Sequence, residues 1–360
     1  MTSTGWRRSC TGRAIRLKCF PAVHPFRRVK SGSCSILINR CEIVRISGKV
    51  IYWSRVTRRP GVTRPSYEWK RYNQLIDFSM IKRLTEEEFR KFARLIYDES
   101  GIFMKDTKIT LLSNRLRKRL QALKLDSFTD YFDYIQKLPD KSKEIEELID
   151  VVSTNETYFF RNERQFEALI KHSFPDISKK KTDKRLRIWS AGCSTGEEPY
   201  TLAICVLENL NLFQGWQIEI IATDIAPSVL DFARKGEYSG RRIEKVPPEI
   251  MKKYFIQDKQ YPEVFAISES AKKLVKFYYL NLFKNQYPKD MDVIFCRNVM
   301  IYFDREHQRQ LVGGFAKVLA KTGYLYIGHS ETLHSISEDF VYVKLLDSPV
   351  YVPKERANEF

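Results

Sequence analysis

A chain of 360 residues, 43% hydrophobic and 13% aromatic, is long enough for two domains and a sizeable buried core. Its formal charge of +18 is unevenly spread: residues 1–79 hold 17 Lys and Arg against Glu42, Glu68 and Asp77, so +14 lies there and +4 remains for residues 80–360, an ordinary balance for a soluble domain. There is no apolar run of membrane-spanning length and no secretory leader, so the composition argues against a membrane-inserted or exported protein and predicts a soluble, cytoplasmic one. Cys193, Cys205 and Cys296 lack metal-ligand spacing and read as reduced thiols, while Cys10, Cys19, Cys34 and Cys41 fall in the basic first segment.

Residues 1–79 show no sustained helical or strand periodicity. A targeting peptide, a nucleic-acid-binding arm and translation upstream of the natural start all fit the Arg-rich, acid-poor composition; the organised sequence that begins at Met80 favours the third and makes Met80 the natural first residue. From there Thr85 can cap a helix with Glu88 three residues on, and Phe89, Phe92, Leu95 and Ile96 follow at helical spacing. A second helix is predicted over 108–123, with Ile109, Leu112, Leu116 and Leu120 on one face. Phe128, Tyr131, Phe132 and Ile135 mark a third, and Ile145, Leu148, Ile149 and Val152 a fourth. Residues 80–155 therefore read as an all-helical domain.

After the lysine-rich loop at 178–184, apolar runs alternate with helical stretches, the pattern of a parallel α/β sheet. Strands are predicted at 186–190, 218–223, 275–279, 293–296 and 324–328, with helices over 200–209, 228–234 and 305–320. The pattern breaks between Gly236 and Ala271, where 261–267 reads as a strand within a small inserted subdomain.

Four segments carry polar groups where such a sheet places its binding crevice. Arg187 to Tyr200 runs Arg-Ile-Trp-Ser-Ala-Gly-Cys-Ser-Thr-Gly-Glu-Glu-Pro-Tyr, a strand entering a glycine turn and then a helix. Gly192 and Gly196 would let a ligand approach the backbone. Glu197 and Glu198 disfavour a pyrophosphate and favour a cationic ligand group, unless they only complement the helix dipole. Asp224 ends the second strand, placed either to accept ribose hydroxyls or to serve the turn before Pro227. Asn281 with Leu282 follows the third run, and Arg297 with Asn298 the fourth, where a polar pair interrupts an apolar stretch. Upstream, Asn155-Glu-Thr157-Tyr-Phe-Phe-Arg161 sets an Arg among aromatics, either as a carboxylate clamp or as a hinge whose Arg stacks on Tyr158 or Phe159.

Together with Ala222-Thr-Asp-Ile225, Phe295-Cys-Arg-Asn-Val-Met-Ile-Tyr-Phe303 and Gly328-His-Ser-Glu-Thr-Leu333, these segments resemble, in order, the CheR family of chemotaxis receptor methyltransferases over residues 80–350. The resemblance implies a doubly wound, mainly parallel sheet of the S-adenosylmethionine-dependent methyltransferase type over 156–360, with a small inserted β-subdomain at about 238–276 and an N-terminal helical domain. It implies a protein-glutamate O-methyltransferase of sensory adaptation, producing glutamate methyl esters and S-adenosylhomocysteine, with no metal. By the same resemblance Asn155, Thr157, Arg161, Glu198, Asp224, Asn281, Leu282 and Asn298 would bind S-adenosylmethionine, and Arg161 and Tyr302 would frame the transfer site. Arg115, Arg117, Lys118 and Arg119 would dock on the acidic cytoplasmic helices of receptors. In some members the β-subdomain captures a receptor's C-terminal peptide; around Asp258–Glu263 the glycines associated with those members are missing, and tethering stays open.

A glutamate acceptor, with a pKa of about 4.3, is ionised near neutrality and requires no general base; alignment and partial desolvation suffice. Two rival functions are weighed. A nucleic-acid methyltransferase fits the basic charge, but Cys296-Arg-Asn-Val299 stands where an adenine-amino methylase carries Asp/Asn-Pro-Pro-Tyr/Phe. A receptor-binding module without catalysis is disfavoured by the intact polar set at the sheet edge. No nucleic-acid partner is expected, and without a heptad pattern the chain is expected to be a monomer.

Overall fold

The computed structural model describes residues 83–360 except 285, together with the backbone of four strands within residues 29–56. Those strands form two antiparallel pairs, β1 (Val29–Ser31) with β2 (Cys34–Ile36) and β3 (Ile38–Ile46) with β4 (Lys49–Val56). The sequence of that stretch does not announce them. Arg40, Glu42 and Arg45 interrupt both alternating sets of β3, so its sequence lacks the apolar alternation of a half-buried strand. The other readings placed on residues 1–82, Met80 as first residue included, lie outside the described residues.

Four helices open the described body: α1 (Glu86–Ser100), α2 (Ile109–Leu123), α3 (Phe128–Lys137) and α4 (Ser142–Val152). Thr85 and Glu88 form the reciprocal cap the sequence predicts, the Glu88 amide donating to Thr85 Oγ1 at 3.2 Å and the Thr85 amide to Glu88 Oε2 at 2.9 Å. The buried faces are Phe89, Phe92 and Ile96, then Leu112, Leu116 and Leu120, then Phe128, Tyr131 and Ile135, then Ile145, Leu148, Ile149 and Val152.

The four basic residues of α2 differ in exposure and in their partners. Arg119 turns inward, donating to Glu144 at 3.0 and 2.7 Å and to Glu147 at 2.8 Å. Tyr131 donates to the same Glu144 at 2.7 Å. Arg115 donates to the Val152 carbonyl and, at 2.8 Å, to Thr154 Oγ1, pinning the segment that leaves α4. Arg117 is half-buried and Lys118 exposed.

The sheet that follows has seven strands, β5 (Arg185–Ala191), β6 (Gln217–Asp224), β10 (Val275–Tyr279), β11 (Met291–Cys296), β12 (Leu319–Ile327), β13 (Phe340–Leu345) and β14 (Ser348–Pro353), in the order β10-β6-β5-β11-β12-β14-β13. All neighbours are parallel except β14, which runs antiparallel to β12 and β13. Alternate residues feed two cores. Ile188, Ile220, Val293 and Phe295 point to one side, and Trp189, Ile221, Ile294 and Cys296 to the other. Helices α5 (Glu163–Ala168), α6 (Phe174–Lys180), α7 (Glu197–Leu207) and α8 (Pro227–Lys235) pack on the first core and α11 (Arg305–Val318) on the second, so the central strands β5 and β11 are buried on both faces and read as apolar runs. The hairpin β13–β14 is absent from the sequence reading: its turn places Leu346 and Asp347 at φ of 48° and 62°, without the glycine or asparagine that signals such turns.

Between α8 and β10 the chain forms a small antiparallel sheet of β7 (Glu237–Ser239), β8 (Phe255–Gln257) and β9 (Val264–Ile267), with helices α9 (Pro248–Tyr254) and α10 (Glu269–Lys272). Among the described residues no helix is long and apolar enough to cross a membrane.

The Arg119 and Glu144 side chains keep only 12% and 8% of their exposure, so removing one leaves an uncompensated buried charge. Arg119→Ala is expected to destabilise the chain by about 3 kcal/mol, read as a lower urea midpoint; an unchanged midpoint would contradict this packing.

Candidate functional site

Because the chain passes from β5 outward to β6 and β10, then returns to β11 on the other side, the sheet has its switch point between β5 and β11, where an open α/β sheet forms a crevice at its carboxyl edge. A cavity of about 890 Å³ lies there, lined in part by the segment joining α1 to α2 and by the linker after α4. The nine residues that the resemblance assigns to the methyl donor and the transfer site line it: Asn155, Thr157, Arg161, Glu198, Asp224, Asn281, Leu282, Asn298 and Tyr302.

Gly192 opens the turn after β5 with φ of 80°, and a Cβ there would meet Val299 Cγ2 at 2.5 Å. Its amide and that of Cys193 donate to the Thr223 carbonyl at 2.8 and 2.9 Å, which ties the turn to the end of β6. Asp224 stands at that end. Its Oδ2 accepts from the Ser194 amide at 2.7 Å and its Oδ1 from the Ala226 amide at 3.0 Å. Burial pushes its carboxyl up and these amides oppose the shift.

The two glutamates of the turn part company. Glu198 reaches the cavity wall, where Arg297 Nε donates to its Oε2 at 2.7 Å and Ser190 Oγ to its Oε1 at 2.7 Å. Glu197 is fully buried beneath the turn, away from the cavity. It is held by Arg242 from the inserted subdomain and by the Thr195 hydroxyl at 2.7 Å, and burial still leaves its carboxyl raised. The reading of both carboxylates as facing a cationic ligand is therefore corrected: Glu197 is an internal partner, and Glu198 already has its cation.

Arg297 also donates to the Arg161 carbonyl at 2.6 Å and to Gln165 Oε1 at 2.9 Å, so its head belongs to the wall of the site. Arg161 itself is half-buried, donates to the Glu156 carbonyl at 3.1 Å and lies with Cζ 5.9 Å from the centre of the Tyr158 ring. Arg161 thus lies beside the Tyr158 ring and also lines the cavity. Asn281 ties the helical domain down: its Nδ2 donates to the Glu99 carbonyl at 2.8 Å and its Oδ1 accepts from the Phe283 amide at 2.9 Å.

Asn298 adopts φ of 59°, and its buried Oδ1 has no hydrogen-bond partner in the protein. Tyr302 is half-buried, and its carbonyl accepts from the Phe103 amide at 2.8 Å. The sequence reading missed the wall supplied by the α1–α2 segment, where Phe103, Lys105 and Lys108 face the cavity; no periodicity marks a connecting segment. It also gave no role to Glu331, although the motif containing it was noted. Among the described residues no group of three or more His, Cys, Asp and Glu is placed to hold a metal ion.

Gly192→Ala combines a left-handed backbone with a clash on Val299. It is expected to cost about 2 kcal/mol, a drop of about 5 °C in a thermal melt; an unchanged melt would show that the turn relaxes freely.

Residues 87–153 match the description "CheR methyltransferase, all-alpha domain" and residues 155–347 "CheR methyltransferase, SAM binding domain". The chemotaxis protein methyltransferase of Borreliella burgdorferi is 38% identical over 262 residues, 71% of this chain and 92% of that protein. Chemotaxis protein methyltransferase 2 of Vibrio cholerae is 36% identical over 262 residues, 71% and 89%, and the Salmonella typhimurium chemotaxis protein methyltransferase is 34% identical over 270 residues, 74% and 91%. Helical domain, switch-point cavity and matched sequence agree: the chain belongs to the CheR methyltransferase family and is an S-adenosylmethionine-dependent methyltransferase of that type.

Proposed function

We propose that the protein transfers the methyl group of S-adenosylmethionine to glutamate side-chain carboxylates of chemotaxis receptors, leaving a methyl ester and S-adenosylhomocysteine. The observation that carries this reading is the charge pattern of the cavity wall. Lys105, Lys108, Arg115, Arg161 and Arg305 line it and no histidine does. Its inner carboxylates are engaged: Glu198 by Arg297, Asp224 by two amides, and Asp304 by the Tyr97 hydroxyl and His307. Such a wall attracts an anionic acceptor, and its one further carboxylate, Glu156, is exposed to solvent rather than held as a buried base. A carboxylate needs none, being ionised above its ordinary pKa of about 4.3, whereas a hydroxyl or ammonium acceptor would have to lose a proton.

The residues present also suit the methyl donor. Asp224, at the tip of the second sheet strand in sequence, is placed to receive ribose hydroxyls, since each carboxylate oxygen retains acceptor capacity beside its amide. The unpartnered Asn298 oxygen offers an acceptor for an ammonium group, and Arg161 a clamp for a carboxylate. The bare backbone at Gly192 admits close approach.

When bound, S-adenosylmethionine supplies an electrophilic sulfonium methyl. The protein's own contribution is alignment and exclusion of water. Arg161 orients the incoming carboxylate and Tyr302 donates a hydrogen bond at the transfer site, while the α1–α2 segment covers the cavity. Docking on receptor helices falls to exposed Lys118, half-buried Arg117 and the cavity-lining Arg115, with Arg119 removed from that set by its ion pair.

Radiolabelled methyl transfer to chemoreceptor cytoplasmic fragments, followed by mild base, tests the proposal. Base-labile counts are expected from the parent chain, falling by roughly 100-fold in Arg161→Ala. Base-stable counts, or full transfer by Arg161→Ala, would contradict it.

A further inference from the structure

We infer that Glu331 is a positioning residue for the methyl donor, acting through Asn298: its carboxylate clamps the loop after β11 so that the Asn298 side-chain oxygen is presented to a cationic amino group of the ligand. The inference rests on the proposed function of the cavity.

The loop over residues 298–303 carries five cavity-lining residues, Asn298 and Tyr302 among them, yet no strand ladder holds its first amides. Glu331, from the turn that follows β12, holds them instead. Its Oε2 accepts from the Gly328 amide at 2.6 Å and the Asn298 amide at 2.9 Å, and its Oε1 from the Ile301 amide at 3.2 Å. On the opposite side, Gln308 Nε2 donates to the Met300 and Phe303 carbonyls at 2.9 and 3.1 Å. Both polar edges of the loop backbone are thus gripped by side chains.

Two further observations give the clamp a purpose. Asn298 stands in the left-handed region, at φ of 59°, a conformation that Asn tolerates but that the surroundings must hold in place. Its Oδ1 is a buried acceptor without a protein partner, a costly arrangement unless a donor from a ligand arrives. Gly328 shows that room was kept for the clamp: a Cβ there would lie 2.5 Å from Glu331 Oε2 and 2.8 Å from the Asn298 amide. Glu331 does not itself line the cavity. Burial pushes its carboxyl up against the pull of the amides, so the group sits where ionisation is costly and only this set of donors offsets that cost. A glutamine in its place keeps one acceptor and turns an N–H₂ donor toward backbone N–H groups.

Calorimetric titration of S-adenosylhomocysteine into the full chain tests the assignment, with the parent, Asn298→Ala, Glu331→Gln and the double variant compared, and thermal melts run alongside. Each single change is expected to weaken binding by at least about tenfold. The double variant should be no weaker than the weaker-binding single, because both changes remove one interaction. In steady-state transfer Glu331→Gln should raise KM for S-adenosylmethionine and leave KM for the receptor fragment unchanged, a split that general loosening would not produce. Should Glu331→Gln fail to melt cooperatively, Gly328→Ala, which crowds the carboxylate from the backbone side, is expected to give the same loss and the same non-additivity. Glu331→Gln binding within twofold of the parent, or losses that add in the double variant, would overturn the inference alone. A parent chain that binds no S-adenosylhomocysteine would overturn the proposed function and this inference together.

Discussion

A guanidinium buried to 2% of its exposure is strongly destabilising without partners, and at the carboxyl edge of β11 the Arg297 head is such a group. Glu198 neutralises it, the Arg161 carbonyl and Gln165 take its remaining donors, and the rings of Phe166 and Phe295 lie 5.1 and 5.6 Å from its Cζ. These partners come from β11, from the start of α7, from α5 and from the segment ahead of it. One charge therefore fixes the relative position of four elements, and the cavity wall inherits its rigidity. The same pair shapes the chemistry of the wall, because it engages Glu198 and leaves Lys105, Lys108, Arg115, Arg161 and Arg305 in excess over the remaining carboxylates of the lining.

Two other internal ion pairs extend this arrangement. Glu197, adjacent in sequence to Glu198, points the other way and is gripped by Arg242, while Tyr238 donates to the Thr195 carbonyl at 2.7 Å. The inserted subdomain is thereby bound to the glycine turn on the face opposite the cavity. In the helical domain Arg119 and Glu144 play the equivalent part, with Tyr131 as a third member. Of the charged residues that look functional by type and spacing, Glu197, Arg119 and Arg297 are thus structural, and the cavity keeps those with groups turned inward.

Much of the fold is legible in the sequence for a physical reason: strands buried on both faces must be apolar throughout, so β5, β6 and β11 stand out, and α1 is announced by its Thr85–Glu88 cap. The polar residues that follow each strand converge because a parallel sheet delivers all its carboxyl ends to one edge. What the sequence hides depends on direction rather than type. Nothing in Glu197-Glu198 says that one faces the cavity and its neighbour the core, nor that Arg119 turns back onto Glu144. The β13–β14 turn is hidden because Leu346 and Asp347 take left-handed conformations without a glycine. Glu331 is hidden because its partners are backbone amides, two of them at Asn298 and Ile301 far off in sequence, which leave no mark on side-chain patterns.

The central claim is that the cavity between the helical domain and the switch point holds the methyl donor against Asp224 and Asn298. A crystal structure of the chain with S-adenosylhomocysteine tests it most directly. The account predicts the ribose on the Asp224 carboxylate, the amino group on Asn298 Oδ1, and the Arg297–Glu198 pair intact. A ligand seated elsewhere, or one that displaces Arg297 from Glu198 to make its own contact with that glutamate, would contradict it.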